Sequence, residues 1–127
     1  MLLTLCKAKL HRVRVTEANL DYMGSITIDV TLLEASGILP HERVQVLNVN
    51  NGARVETYVI AGPRDSGVIC LNGPAAHHFS PDDLAVIIAY ALMTPEEAAV
   101  WQPTVVFVDA HNTVTRVIRQ ETPFTPG

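Results

Sequence analysis

The sequence predicts a mainly β fold, closed into a small barrel and carrying two short helices, on three observations. Short runs rich in Val, Ile, Leu and Thr recur along all 127 residues. Pairs containing Gly, Pro, Asn or Asp separate those runs at close spacing, and no helical pattern extends beyond about two turns. By length the chain makes one domain, and no repeat or linker divides it.

The elements follow in order. Residues 7–15, KAKLHRVRV, alternate as a strand, with Lys7, Lys9, His11, Val13 and Val15 on one side and Ala8, Leu10, Arg12 and Arg14 on the other. A second strand covers 25–30, where Ile26, Ile28 and Val30 alternate with polar neighbours. LLEASG, residues 32–37, makes one or two helical turns stopped by Gly37, a residue suited to a left-handed C-terminal cap. Strands at 43–49 and 54–60 flank the turn Asn51-Gly52, and a strand at 67–71 follows the turn signals Gly62-Pro63 and Asp65-Ser66-Gly67. After the turn Asn72-Gly73 comes the long strand 83–92. TPEEAAVW, residues 94–101, reads as a helix: Thr94 caps it, Pro95 takes its first position, and Glu96 and Glu97 meet the positive end of its dipole. Strands at 103–109 and 113–118 complete the chain, and the tail QETPFTPG is expected to fray.

Composition narrows the function. A net charge of -4 argues against a nucleic-acid partner, which requires a basic face, and the local cluster KAKLHRVRV is too short to reverse that. Only 17% of residues are charged against about 25% in an ordinary soluble domain, so surface buried between subunits is expected. Cys6 and Cys70 form no CxxC pair and read as buried reduced thiols. The apolar start MLLTLC precedes its basic residues, the reverse of a secretory signal, and no run approaches the ~18 apolar residues of a membrane helix, so a cytoplasmic protein is expected. His77-His78 lack the i, i+4 spacing or the acidic and thiol company of a metal site. Neither a GxSxG elbow nor a phosphate-binding glycine loop is present.

Three stretches could carry chemistry. Gly24-Ser25 precedes the alternating run ITIDV; taken alone, the pair is a turn entering a strand. In RVETY, Arg54, Glu56 and Tyr58 share one face, and Val55, Thr57 and Val59 the other. Arg54 offers a planar fork for a carboxylate, Thr57 a hydroxyl for a carbonyl oxygen and Tyr58 a phenolic proton. The same trio also reads as a surface Arg, a β-forming Thr and a half-buried Tyr. In LNGPAAHH, Asn72 can donate and accept, and the small residues after it let a backbone approach a ligand, though a plain turn has the same composition.

Together the pieces acquire a joint meaning. KxKxHRVRVTxAxxxYxGS, then TID, ASGIL, NGARxxTY, LNGPAAH and PxDLxxIIAYA, in this order and spacing over residues 1 to about 110, resemble the aspartate 1-decarboxylase family. The resemblance implies a six-stranded double-psi β-barrel, assembled as a homotetramer with active sites between subunits. It also implies a precursor that cuts itself between Gly24 and Ser25, giving chains 1–24 and 25–127 and turning Ser25 into a pyruvoyl group. That group is the cofactor, with no metal and no pyridoxal phosphate. It would take L-aspartate through an imine to β-alanine and CO2, within pantothenate and coenzyme A biosynthesis. A maturation partner is possible for such a chain and is not indicated here.

The resemblance also distributes roles. Thr57 would assist the cut, Tyr58 would return a proton to carbon, and Lys9 and Arg54 would hold carboxylates. His11, Tyr22, Asn72, Gly73, Pro74 and Ala75, with Thr57, would line the substrate site. Two departures stand out. Asp21 occupies a position that is His in many members, and Pro74 replaces a usual alanine and so removes a backbone N–H.

Overall fold

The computed structural model describes residues 1–126, and among these nine strands, two α-helices and one 3-10 helix follow one another. The N-terminal half contains β1 (Leu3–Arg14), β2 (Glu17–Asn19), β3 (Ser25–Asp29), α1 (Val30–Ser36), β4 (Arg43–Asn48) and β5 (Arg54–Gly62). Then come β6 (Ile69–Asn72), the 3-10 helix Gly73–His78, β7 (Leu84–Met93), α2 (Pro95–Val100), β8 (Thr104–Val108) and β9 (Val114–Ile118). The fold is mainly β with short helices, as the turn-punctuated sequence requires.

Hydrogen bonds order the strands β2-β6-β3-β5-β4-β7-β1-β8-β9. The sheet bends at β5. Its residues Arg54–Tyr58 pair antiparallel with β4, and Val59–Gly62 pair parallel with β3. Cross-ties then bring distant parts of the order together into a barrel-like form. Val15 N–H donates to Asp83 O beside β7, and the next residue, Thr16, donates to Ile69 O on β6. Asn112, 3% exposed in the β8–β9 turn, donates through Nδ2 to Arg14 O and Gly67 O and accepts from Arg14 N–H, each at 2.8 Å. One side chain thus clasps the end of β1 to the loop before β6, and an apolar replacement would strand three backbone groups, two part-buried on Arg14 and one buried on Gly67. Inside lie Leu10, Val13, Ile26, Ile28, Val46, Leu71 and Ile87, all fully buried, with Leu32 and Leu33 of α1.

The expected alternation of residues 7–15 breaks within β1. Ala8, Leu10, Val13 and Val15 all enter the core, so the two valines lie opposite the side predicted for them. The cause is a β-bulge: β1 uses three steps from Leu10 to Val13 where β7 uses two from Ile87 to Ala85, and Arg12 takes φ 54°. One extra residue moves every later side chain to the other face.

Helix α1 starts at Val30, a residue the strand pattern claimed, because Asp29 Oδ1 accepts from Thr31 N–H at 2.8 Å and caps it there. Gly37 ends it with φ 79°, as predicted. Thr94 and Glu97 form a reciprocal capping box on α2. The polar strand β2, Glu-Ala-Asn, has no apolar alternation and is defined by its parallel pairing with β6. The tail is tied down in part, since Glu121 pairs with Lys9 at 3.0 Å; its last residue, Gly127, lies outside the described residues. Cys6 and Cys70 are free thiols; Cys70 is buried and Cys6 only partly so. Among the described residues no helix is long and apolar enough to cross a membrane.

Candidate active site

Gly24 is exposed and Ser25, the first residue of β3, is 1% exposed, so the peptide between them crosses from solvent to interior. Antiparallel pairing sets Ser25 opposite Asn72 and Thr27 opposite Cys70. Paired residues share a face, and so do alternate residues, so these four form a square on one face of β3 and β6. Ile26, Ile28, Ile69 and Leu71 point the other way into the core. Asn72 Nδ2 donates to Ser25 Oγ at 2.9 Å and to Thr27 Oγ1 at 3.0 Å. Cys70 Sγ donates to Asn72 Oδ1 at 3.1 Å. Ser25 Oγ has Met23 O at 3.4 Å as the acceptor for its own proton.

The backbone closes over this square. Asn72 ends β6 in an extended conformation, and Gly73 then turns with φ 66° into the 3-10 helix. A Cβ on Gly73 would stand 2.9 Å from Gly24 Cα, 3.1 Å from Gly24 N and 3.2 Å from Tyr22 O. Only a residue without a side chain allows the two segments to pack so closely. Pro74 lies against Gly24 as well, with its Cδ 3.7 Å from where a Gly24 Cβ would be. It occupies the first turn of the 3-10 helix, where a missing N–H breaks no helical bond; Gly73 and Ala75 keep theirs. Asp21 N–H donates to Asn19 Oδ1 at 2.9 Å, and the resulting turn brings Tyr22, half exposed, to the Gly73 backbone.

Tyr58 lies at the bend of β5, one residue before the stretch that pairs with β3, and is itself paired with Arg43 of β4. Val59 is the parallel partner of Ile26, so Tyr58 precedes it as Ser25 precedes Ile26 on the neighbouring strand. Tyr58 is 41% exposed, and Thr57, half-buried, pairs with Val44. Arg54 Nη1 is held at 2.7 Å by Gln45 Oε1, which also accepts from Tyr90 OH at 2.9 Å.

Lys9 and His11 form a second group. Lys9 Nζ meets Glu121, and both residues line a small pocket of about 110 Å³ under the tail with His11, Phe107, Thr122 and Pro126. The His11 ring meets Phe107 edge-on at 5.4 Å, and its buried Nε2 has no hydrogen-bond partner among the described residues. Burial, then the charges of Lys9 and Arg12, hold the imidazole below its ordinary pKa, which favours the neutral ring. Among the described residues, no side-chain hydrogen bond or ion pair connects Lys9, His11, Arg54 or Tyr58 to Ser25. Among the described residues no group of three His, Cys, Asp or Glu could hold a metal ion.

Of the residues named from the sequence, the structure brings Asn72 to Ser25, and Gly73 and Pro74 to Gly24. Sequence reasoning misses Thr27 and Cys70, whose place depends on which strands pair, and Glu121, which lies 112 residues from Lys9.

Comparison with known proteins bears on the same segments. A family model described as aspartate decarboxylase matches residues 1–115. Proteins named aspartate 1-decarboxylase from Carboxydothermus hydrogenoformans and Pelotomaculum thermopropionicum are each 60% identical over 121 residues, covering 95% of this chain and 95% and 92% of the relatives. One of the same name from Lactiplantibacillus plantarum is 59% identical over 121 residues, covering 95% of this chain and 93% of its own. With the match running through Gly24-Ser25, Arg54 to Tyr58 and Asn72-Gly73 alike, the chain belongs to the aspartate decarboxylase family.

Proposed function

We propose that this chain is an aspartate 1-decarboxylase that makes its own pyruvoyl group by cutting the Gly24–Ser25 bond, and that it converts L-aspartate to β-alanine and CO2. The observation that carries the reading is the buried Ser25 Oγ, which follows an exposed glycine and receives the Asn72 amide N–H at 2.9 Å. Decarboxylation of an α-amino acid leaves electrons on carbon that no ordinary side chain can delocalise. A pyruvoyl ketone at position 25 supplies that electron sink.

The residues present suit its formation. Ser25 Oγ attacks the Gly24 carbonyl carbon, the C–N bond breaks, and the nitrogen takes the proton, so the peptide becomes an ester. Thr57 donates to the carbonyl oxygen as it gains charge. Loss of the Ser25 α-proton expels the Gly24 carboxylate and leaves dehydroalanine; water then releases ammonia and leaves the ketone. Overall, one water is consumed, one ammonia is released and no oxidant is needed.

For turnover, Tyr58 returns a proton to the substrate carbon; it directly precedes Val59, whose partner Ile26 directly follows Ser25. Arg54 and Lys9 hold the side-chain carboxylate; a cation on the departing carboxylate would instead stabilise the ground state. Their present partners, Gln45 and Glu121, must give way. Tyr22, Asn72, Gly73, Pro74, Ala75 and Thr57 line the site, and His11 borders it beside Lys9.

The reading extends to a six-stranded double-psi barrel within the nine strands and to a cytoplasmic homotetramer whose sites are completed between copies. Support for assembly comes from large apolar residues left exposed near the cut and on β5 and β7: Leu20, Tyr22, Met23, Tyr58 and Leu92. β-Alanine would enter pantothenate and coenzyme A synthesis.

The test is a denaturing intact-mass measurement with and without a carbonyl-trapping hydrazine. Chains 1–24 and 25–127 are expected, only the larger carrying the adduct, and CO2 release from aspartate should exceed that from glutamate or alanine. A single unmodified chain that persists after prolonged warm incubation would overturn the proposal.

A further inference from the structure

The proposed cut explains why Ser25 is buried but does not explain why Asn72 presents its NH2, rather than its carbonyl oxygen, to the nucleophile. A carboxamide turned over by 180° fits the same space. In the turned form Ser25 and Thr27 would both donate to Oδ1, and the Ser25 proton would be held by the amide. In the observed form Ser25 Oγ accepts an N–H, and its own proton has only the distant Met23 O, at 3.4 Å. An N–H aimed at Oγ meets the negative charge that grows there as the proton leaves. The two forms therefore differ in reactivity, and something must select between them.

The selecting group faces the other end of the amide. Cys70 Sγ is 3.1 Å from Asn72 Oδ1, two residues back on the same strand face, and its other acceptor, Leu71 O, is 4.0 Å away. A thiol bound to an amide oxygen acts as donor; facing an NH2 it could offer only a weak sulfur acceptor. Turning the amide would therefore lose the sulfur contact as well as misdirect both hydroxyls. We propose that Cys70 is a positioning residue for self-cleavage, its S–H fixing the Asn72 carboxamide with the NH2 toward Ser25 Oγ and Thr27 Oγ1. Burial, with a smaller contribution from Glu17, raises the thiol pKa to about 11, so the donor proton is retained at neutral pH. This role rests on the self-cleavage reading.

The experiment compares full-length wild type, Cys70→Ala and Cys70→Ser by intact-mass time courses of Gly24–Ser25 cleavage, with a thermal melt of each. Loss of the donor in Cys70→Ala should slow cleavage by about tenfold or more. Cys70→Ser offers an O–H to the same oxygen and should restore most of the rate. Cys70→Val keeps the bulk without the donor and should behave as Cys70→Ala, which covers the case that the smaller side chain does not fold. Wild-type rates in folded Ala or Val variants overturn the proposal, as does a Ser variant as slow as Val. A wild-type chain that never cleaves removes the underlying reading and this role with it; slow variants beside a cleaving wild type leave both standing.

Discussion

Ser25→Ala protein remains one polypeptide of 127 residues, takes up no hydrazine and releases no CO2 from aspartate. The effect is complete because the variant lacks the Oγ that, in the proposed cut, attacks the Gly24 carbonyl and leads to the ketone. The fold survives. Asn72 Nδ2 keeps Thr27 Oγ1 at 3.0 Å, Oδ1 keeps Cys70, and the lost hydrogen bond costs about 1 kcal/mol. A melting temperature close to that of the uncleaved parent, with no fragment of residues 1–24 in the mass spectrum, is the expected pair of results. A Ser25→Ala chain that still breaks after Gly24 would sink the mechanism, since the nucleophile would then lie elsewhere.

Gly73→Ala should be the most damaging single methyl group in the site. Its Cβ would fall within 3.2 Å of three backbone atoms, two on Gly24 and one on Tyr22, none of which can rotate aside as a side chain can. The left-handed conformation adds roughly 1–2 kcal/mol, and relieving the overlap about 1–3 kcal/mol more. The segment bearing the scissile bond must shift off the 3-10 helix, so cleavage should slow along with a clear fall in melting temperature. Gly37→Ala provides the control. Gly37 has φ 79° but nothing within 4 Å of a new Cβ, so it should show the conformational cost alone and cleave at the parent rate. Equal cleavage by the two variants would mean that the Gly24–Gly73 contact does not hold the bond in its reactive geometry.

How far the sequence could be read depended on the range of the interactions involved. Thr94 with Glu97 and Asp29 with Thr31 are separated by three and two residues, so capping is written locally, although the Asp29 cap was hidden inside an apolar alternation that ran on through Val30. The bulge at Arg12 was not written that way. Its effect, turning Val13 and Val15 inward, depends on the register between β1 and β7, whose partners are some seventy residues apart. The site divides similarly. Gly24, Ser25 and Asn72 are legible because the family motif contains them. Cys70 read as an ordinary buried thiol because its meaning depends on β3 lying antiparallel to β6. Lys9 read as a cation for a substrate carboxylate, and here it is paired with the carboxylate of Glu121 in the tail.

The position of β1 would bear on the life of the protein after the proposed cut. This strand is paired on both sides, with β7 and β8, and brings Ala8, Leu10 and Val13 into the core, followed at once by Val15, yet it would belong to the fragment of residues 1–24. While the chain is whole, the connection through Gly24 presents β1 to its slot at an effective concentration of order millimolar. The proposed cleavage would discard that tether. The matured protein would then hold together by contacts formed before the break, and once unfolded it would have to recapture a separate peptide from dilute solution. At micromolar protein, dilution from denaturant should restore the Ser25→Ala chain and leave the cleaved one largely unassembled. Maturation would thus fix the order of events in the molecule's history, with folding first and chemistry second and no route back.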